Sequence, residues 1–458
     1  MLYALMRRLA RIALRWYYRD VEIIGAERVP RDTPLLIVAN HPNAMVDPML
    51  VATSISRRVT FTGKATLFEN PFLRAFLGAV GVVPLRRASD ERARRQAGGA
   101  PDPRRNEEAF RAVIGALGAR RAVLIFPEGK SHDEPSIAPL KTGTARMALQ
   151  ARAAGVGELS ILPIGFVFEN KSQPRTRILV EVGEPIALDD WSGAGAADAV
   201  DRLTGEIDRR LRAVTMNFDT AAAAAETARV GALLAPEGAG ALGGGVSWAE
   251  VVAVTRRVDS ARRVLERAVA AGGELARRAD RLRAEVSAAE QVAAREGLDL
   301  RDAGIDTSVG SGAAFVAREG AITTIAAPFA VIGRIIHWPA VTIARTLARR
   351  WSESGADPAM QTLLVGAPLV LVTWAAITAI AWHFAGAAIA LVTLAALPLL
   401  AECDFALRDR AARARARLRA YLRFRREPAL QQTLVGAISA ARDEAAELER
   451  QLLTGNAA

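Results

Sequence analysis

Two residues of this 458-residue chain are well placed by type and spacing to move a proton, His41 and Asp47. His41 is one of only four histidines, and it lies in Ala39-Asn40-His41-Pro42-Asn43-Ala44-Met45-Val46-Asp47-Pro48, directly after an apolar run that reads as a strand. An imidazole near its ordinary pKa of about 6.5 takes up a proton at neutral pH. A carboxylate one turn later can fix its tautomer and stabilise its cation, the supporting part of a triad without the nucleophile. Each residue also has a purely structural reading. Asp followed by Pro ahead of Met49-Leu50-Val51-Ala52 is the pattern of a helix N-cap with Pro at the first position. His41 would serve equally as a loop histidine bonded to backbone.

Three further stretches keep company with the first: Gly81-Val82-Val83-Pro84-Leu85-Arg86-Arg87, Leu124-Ile125-Phe126-Pro127-Glu128-Gly129-Lys130-Ser131-His132-Asp133, and Ile161-Leu162-Pro163-Ile164-Gly165-Phe166. In this order and at these separations the four resemble the motif blocks of the glycerolipid acyltransferase family, over roughly residues 20 to 220. That family includes bacterial lysophosphatidate and glycerol-3-phosphate acyltransferases. The usual first block has four residues between His and Asp, whereas five separate His41 from Asp47. This wider spacing, the Phe-Pro-Glu-Gly-Lys-Ser-His-Asp block, Pro139-Leu140-Lys141-Thr142-Gly143 and Val214-Thr215-Met216-Asn217-Phe218-Asp219 look like the branch with fungal-type glycerol-3-phosphate and dihydroxyacetone-phosphate acyltransferases.

The resemblance implies an O-acyltransferase that moves a fatty acyl group from acyl-CoA or acyl carrier protein to glycerol-3-phosphate or dihydroxyacetone phosphate, with lysophosphatidate as the alternative acceptor. His41 would be the general base and Asp47 its orienting carboxylate. Arg87, with Arg86 beside it, would bind the acceptor phosphate, for which an arginine fork suits both charge and geometry. Glu128 and Gly129 would help bind the acceptor. Lys130, in place of the usual Thr, and Lys64, at a strand end, would add positive charge, although a solvated lysine explains Lys64 equally well. No metal or cofactor is implied beyond the acyl-thioester co-substrate. The single cysteine, Cys403, excludes a disulfide framework and a Cys-based zinc site. Ser131-His132-Asp133 makes no hydrolase, because adjacent side chains cannot form the relay a triad needs.

The elements that must position these residues alternate. Residues 35–39, 59–62, 122–126, 161–168 and 178–182 read as strands, and 48–54, 72–78, 106–118, 142–154 and 198–217 as helices. Strands alternating with helices predict an α/β domain, a mixed-sheet acyltransferase domain over 21–220 with flanking helices. Residues 1–20 carry Leu2, Leu5, Leu9, Ile12 and Trp16 at helical spacing among arginines. They predict an amphipathic helix, lying in a headgroup layer, packed on the domain, or both.

Beyond it, 221–246 reads as an Ala/Gly-rich linker. Residues 247–300 read as a charged helical hairpin broken at Gly272-Gly273, and 322–346 as an interfacial or re-entrant apolar segment. From Met360 to Ala401 some forty residues carry no Asp, Glu, Lys or Arg. That length suits two transmembrane helices over 360–402, since one span takes roughly 20 residues. Residues 403–455 then read as an Arg-rich helical tail. With 51% hydrophobic residues and a net charge of +11, the chain fits an anionic partner such as membrane phospholipid. Arg345, Arg349 and Arg350 precede the spans and nine arginines lie between Arg408 and Arg426. That places both flanks and the catalytic domain on the cytoplasmic side of the inner membrane. The tail has too few stacking residues for a nucleic-acid arm, and anionic lipid is its expected partner. A non-catalytic lipid-binding scaffold and an enzyme remodelling lysophospholipids are the rival readings.

Overall fold

The structure, a computed structural model, describes residues 2–85, 104–171, 173–189, 191, 198–234, 247–269, 274–351 and 358–455. The chain forms two compact units, one of Met1–Ala221 with Arg345–Val365, the other of Ala222–Ala344 with Gly366–Ala458.

In the first unit α1 (Leu2–Tyr17) leads into β1 (Asp20–Ile24), β2 (Leu35–Ala39), α2 (Val46–Ser54), β3 (Val59–Lys64), α3 (Pro71–Val80), β4 (Val83–Leu85) and α4 (Arg104–Gly118). Then come β5 (Ala122–Ile125), α5 (Gly143–Ala153), β6 (Ser160–Phe168), β7 (Arg177–Val182), β8 (Ile186–Ala187) and α6 (Ala199–Ala213). The sheet runs β1-β7-β6-β2-β5-β3-β4, with β8 on β6. It is parallel except where β6 meets β7 and β8. This is the expected mixed sheet with flanking helices. All residues of β2 and β5 are buried, as parallel strands covered on both faces must be.

Register decides where the motif loops go. Leu35 pairs with Ala122 and with Ser160, so β2, β5 and β6 point the same way. The loop carrying His41 and the loop carrying Glu128 therefore leave the sheet at one edge, the carboxyl ends of the strands, where open α/β sheets place their ligands. Lys64 pairs with Leu85, the last described residue before the Arg86-Arg87 motif. Arg86 and Arg87 themselves lie outside the described residues. The sequence pattern misses β1, β4 and β8, which are short or carry polar residues such as Asp20 and Glu22.

The second unit departs from two expectations. Residues 221–234, read as linker, form α7 (Ala221–Leu234). Its run of alanines favours helix, and Val230 and Leu233 bury one side of it. The remainder of that linker, 235–246, lies outside the described residues, as do Gly272 and Gly273. The helices α8 (Trp248–Val269) and α9 (Glu274–Arg295) flank those two glycines. Residues 322–346 are not re-entrant but lie within the continuous helix α10 (Val309–Trp351), which carries Pro328 and Pro339 inside it.

The forty apolar residues form two helical segments of α11 (Pro358–Arg426), joined at Gly386, whose φ of 83° breaks the helix. Beyond it α12 (Pro428–Gly455) closes the chain. α10 runs antiparallel to the later segment of α11. Tyr421 donates to the carbonyl of Ser308 (3.2 Å), Arg410 pairs with Glu319 (2.7 Å) and Cys403 donates to the carbonyl of Ala326 (3.7 Å). A Cβ on Gly333 would meet the carbonyl oxygen of Leu400 at 2.1 Å, the close approach that small residues permit between membrane helices. His337 of α10 is buried against the earlier segment. It donates from Nδ1 to Gly333 O (2.7 Å) and accepts at Nε2 from Trp374 (2.8 Å).

Both α10 and α11 are long and apolar enough to cross a membrane. Large apolar residues such as Ile325, Leu391, Val392 and Leu399 point outward, an apolar surface of the kind that marks a membrane or protein partner. The arginine tail is helical, as expected, and some of its arginines are paired. Arg408 pairs with Asp404, Arg410 with Glu319, Arg417 with Asp302 and Arg423 with Glu296. A good part of its charge is therefore spent inside the second unit.

Block four is fixed by backbone approach. A Cβ on buried Gly165 would lie 1.9 Å from the carbonyl oxygen of Val214, and neither backbone can retreat from a packed sheet. Gly165→Ala should cost about 2 to 4 kcal/mol, read as a lower urea midpoint. An unchanged midpoint would show that 214–219 can move away.

Candidate active site

The strand β2 ends at Ala39, and the next residue secures the loop. Asn40 accepts from the amide of Phe166 (2.8 Å) and donates to the carbonyl of Phe166 (3.1 Å). Its side chain thus continues the pairing of β2 with β6 for one more step. His41 follows, with its ring stacked on Phe126 at 3.9 Å between centroids.

The Nδ1–H of His41 donates to Asp47 Oδ2 at 2.9 Å. The same oxygen accepts from the amide of Asn43 at 2.8 Å. Asp47 is fully buried and stands in the first turn of α2, while the N-cap position is Met45. The structural reading of Asp47 as N-cap is therefore not what the chain adopts. The carboxylate points back at the imidazole instead. Between the two residues Ala44 has a φ of 29°, on the left-handed side that residues with a Cβ seldom visit. Ser131 Oγ accepts the Ala44 amide and holds that turn.

With Nδ1 committed to Asp47, the other ring nitrogen carries the lone pair. Among the described residues no group bonds to Nε2, and His41 lines a cavity shared with Glu128, His132, Phe166, Lys171 and Met216. The cavity therefore has an acceptor nitrogen in a fixed tautomer, which suits a general base.

Glu128 is 2% exposed, and both its oxygens are engaged by the protein. Oε1 accepts the backbone amide of His41 (2.8 Å), and Oε2 accepts the amide of Ala138 (2.7 Å) and meets Nε2 of His132. It fastens block three to block one. Gly129 has a φ of 73°, which only glycine takes without strain. Lys130 is exposed and outside the cavity lining, and Lys64 is half-buried at the end of β3. Ser131, His132 and Asp133 engage Ala44, Glu128 and Lys171 respectively. They form no relay.

Four residues of the site escape the sequence reading. Asn40 and His132 stand inside quoted motifs, and their adjacency to His41 and Glu128 is a signal. Tyr18, whose hydroxyl accepts from Asn43 (3.0 Å), and Lys171 have no local pattern. Lys171 donates to the carbonyls of Pro42 (2.9 Å) and His132 (3.2 Å) and pairs with Asp133. It ties the two loops together and lends positive charge near Asp47.

Burial pushes the Asp47 carboxyl above its ordinary range, against the hydrogen bond from His41. A carboxyl raised in this way supports the folded state in full below its unfolded value of about 3.9, and that support is lost as pH rises through the folded value. At neutral pH the protein carries the cost of a buried anion. Asp47→Asn, which keeps an acceptor for both amide and imidazole, should melt about 2 to 4 °C higher at pH 8, with the gap closing towards pH 4. A lower melting temperature at pH 8 would mean that the charge itself stabilises the loop.

Residues 20–167 match the family profile described as Acyltransferase. Over 123 residues the chain is 38% identical to glycerol-3-phosphate O-acyltransferase 2 of Saccharomyces cerevisiae, covering 25% of this chain and 17% of that protein. It is 24% identical to glycerol-3-phosphate O-acyltransferase 1 of the same yeast, covering 44% and 37%. It is 26% identical to the chloroplastic 1-acyl-sn-glycerol-3-phosphate acyltransferase LPAT1 of Arabidopsis thaliana, covering 34% and 41%. The chain thus spans less than half the length of each of these relatives. The profile match over 20–167 takes in all four motif blocks, with His41 and Glu128 joined as above, and marks that segment as an acyltransferase domain similar to acyltransferases of glycerolipid synthesis.

Proposed function

We propose that the protein transfers a fatty acyl group from acyl-CoA or acyl carrier protein to a hydroxyl of glycerol-3-phosphate or dihydroxyacetone phosphate. The observation that carries this reading is the 2.9 Å bond from His41 Nδ1 to Asp47, which leaves Nε2 as an acceptor on the cavity wall. The acceptor hydroxyl gives its proton to Nε2 as its oxygen attacks the thioester carbonyl. The tetrahedral carbon then expels the thiolate, which takes the proton back from the imidazolium. Asp47 holds the ring and stabilises its cation, and Glu128 fixes the backbone of His41 through the amide bond.

Arg86 and Arg87 bind the acceptor phosphate in this scheme, aided by Lys64, whose strand partner Leu85 immediately precedes them. Gly129 and Lys130 stand on the same motif turn as Glu128, and their contribution is to the approach of that anionic acceptor. The 38% identity to a glycerol-3-phosphate acyltransferase favours glycerol-3-phosphate. The likeness to LPAT1 favours lysophosphatidate as the second reading. Arginines before and after the apolar run, with none in its turn, support the cytoplasmic face of the inner membrane as the working location.

His41→Ala should lower kcat by about 10²- to 10⁴-fold, and Asp47→Asn by roughly 10²-fold, with acceptor KM little changed. Activity of His41→Ala at the wild-type rate would remove the general base. A panel of glycerol-3-phosphate, dihydroxyacetone phosphate, lysophosphatidate and lysophosphatidylcholine, read by thiol release from acyl-CoA, should show turnover only with the phosphate monoesters. Equal use of lysophosphatidylcholine would overturn the role given to Arg87.

A further inference from the structure

At the opposite edge of the sheet, the amino ends of the strands, a second cavity is lined by Arg31, Asp32, Arg57, Arg58, Arg120 and Arg121. The loops before β2, before β3 and before β5 converge there, since Leu35 and Val59 both pair with Ala122. The length of β2, about 17 Å at roughly 3.3 Å per residue, separates this cavity from His41. It is not part of the site already described.

The arginines have two roles. Arg57 and Arg120 build the wall. The Arg57 guanidinium donates to the carbonyls of Pro30 (2.9 Å), Thr33 (2.7 Å) and Arg120 (2.8 Å). Arg120 donates to Asp32 O (2.9 Å), pairs with Glu158 (2.7 Å), and is itself held at a left-handed φ of 55°. Backbone strain at a residue with a Cβ persists only where its surroundings impose it. Arg31, Arg58 and Arg121 are exposed, and among the described residues no carboxylate or carbonyl accepts from them. Arg58 instead lies over the ring of Tyr3 at 5.3 Å, on α1.

Five guanidinium groups on one concave wall thus face Asp32, with Glu158 paired to Arg120 alone. Like charges gathered at this density repel, and burial together with neighbouring Arg120 pulls the Arg57 pKa down, with Asp32 opposing. An anion with several acceptor oxygens relieves the repulsion and matches the planar forks. Beside Tyr3, Leu2 and Leu5 are 40% and 54% exposed, so apolar surface adjoins the charge.

We infer that this arginine-lined cavity is a second anion site that takes a phosphate group, supplied either by an anionic lipid headgroup or by a soluble phosphate compound. Arg31, Arg58 and Arg121 grip the phosphate oxygens, and Arg57 and Arg120 hold the three loops in place.

The test uses the full chain in detergent, carrying Arg86→Ala and Arg87→Ala so that the acceptor site does not contribute. Inorganic phosphate, dihexanoyl phosphatidylglycerol and dihexanoyl phosphatidylcholine are each titrated by calorimetry. The double variant should still bind phosphate or the phosphatidylglycerol. Adding Arg31→Ser, Arg58→Ser and Arg121→Ser should weaken that binding roughly tenfold or more, with the melting temperature kept. Tighter binding of phosphatidylglycerol identifies a headgroup as the source, and tighter binding of inorganic phosphate identifies a soluble one. Should the triple substitution unfold the protein, Arg121→Gln alone is read in the same titration and should still weaken binding. Equal binding before and after these substitutions, no binding in the double variant, or equal heat from phosphatidylcholine would overturn the inference.

Discussion

A carboxylate with no exposed surface, bonded to an imidazole, is the interaction on which the rest of the first unit depends. Taking Asp47 out of water is costly unless donors surround it. The structure supplies the Nδ1–H of His41 and the amide of Asn43 on one oxygen, with Lys171 adding positive charge nearby. Each of those donors must be held in place. Asn40 locks the strand end, Tyr18 holds Asn43, and Glu128 takes the His41 amide. The loop is rigid because its buried polar groups are nearly all satisfied by one another. The exceptions are the Oδ1 atoms of Asp47 and Asn43, which have no partner among the described residues.

That cage needs loops from distant parts of the chain at one edge of a sheet. Parallel pairing of β2 with both β5 and β6 provides this directly, since three carboxyl ends then point the same way. Gly165 and the segment after α6 add the last wall. The carbonyl of Val214 covers Gly165, Phe218 donates to the carbonyl of Pro135, and Asn217 accepts the amide of Ile137. The same parallel order gathers the opposite loop ends around five arginines, so the sheet has two polar edges of different character.

The second unit follows other physics. Its apolar helices expose large side chains, and several of its polar groups are paired with one another. Glu319 meets both Arg318 and Arg410, and His337 spends both ring nitrogens on Gly333 and Trp374.

Much of the first unit is legible in the residue pattern. Continuous apolar runs such as 35–39 and 161–168 mark buried strands. The four motif blocks name His41, Asp47 and Glu128, because chemistry of this kind needs those residue types in loops that follow strands. Pattern fails where residues are few, polar or ambiguous. Asp20 to Ile24 and Val83 to Leu85 pair as edge or short strands only because a neighbour is there, and 221–234 is helix although Ala and Gly suggested a linker. Pro328 and Pro339 suggested a broken segment, whereas the helix passes through both. What sequence by itself determined is the identity of the reacting groups and the α/β alternation, since both are written in residue type and period. Tertiary structure alone decided that Glu128 braces His41 rather than facing open space, and that Lys171 joins two loops. Those depend on which groups lie within 3 Å of one another across 87 or 129 positions of chain, and no local pattern records that distance.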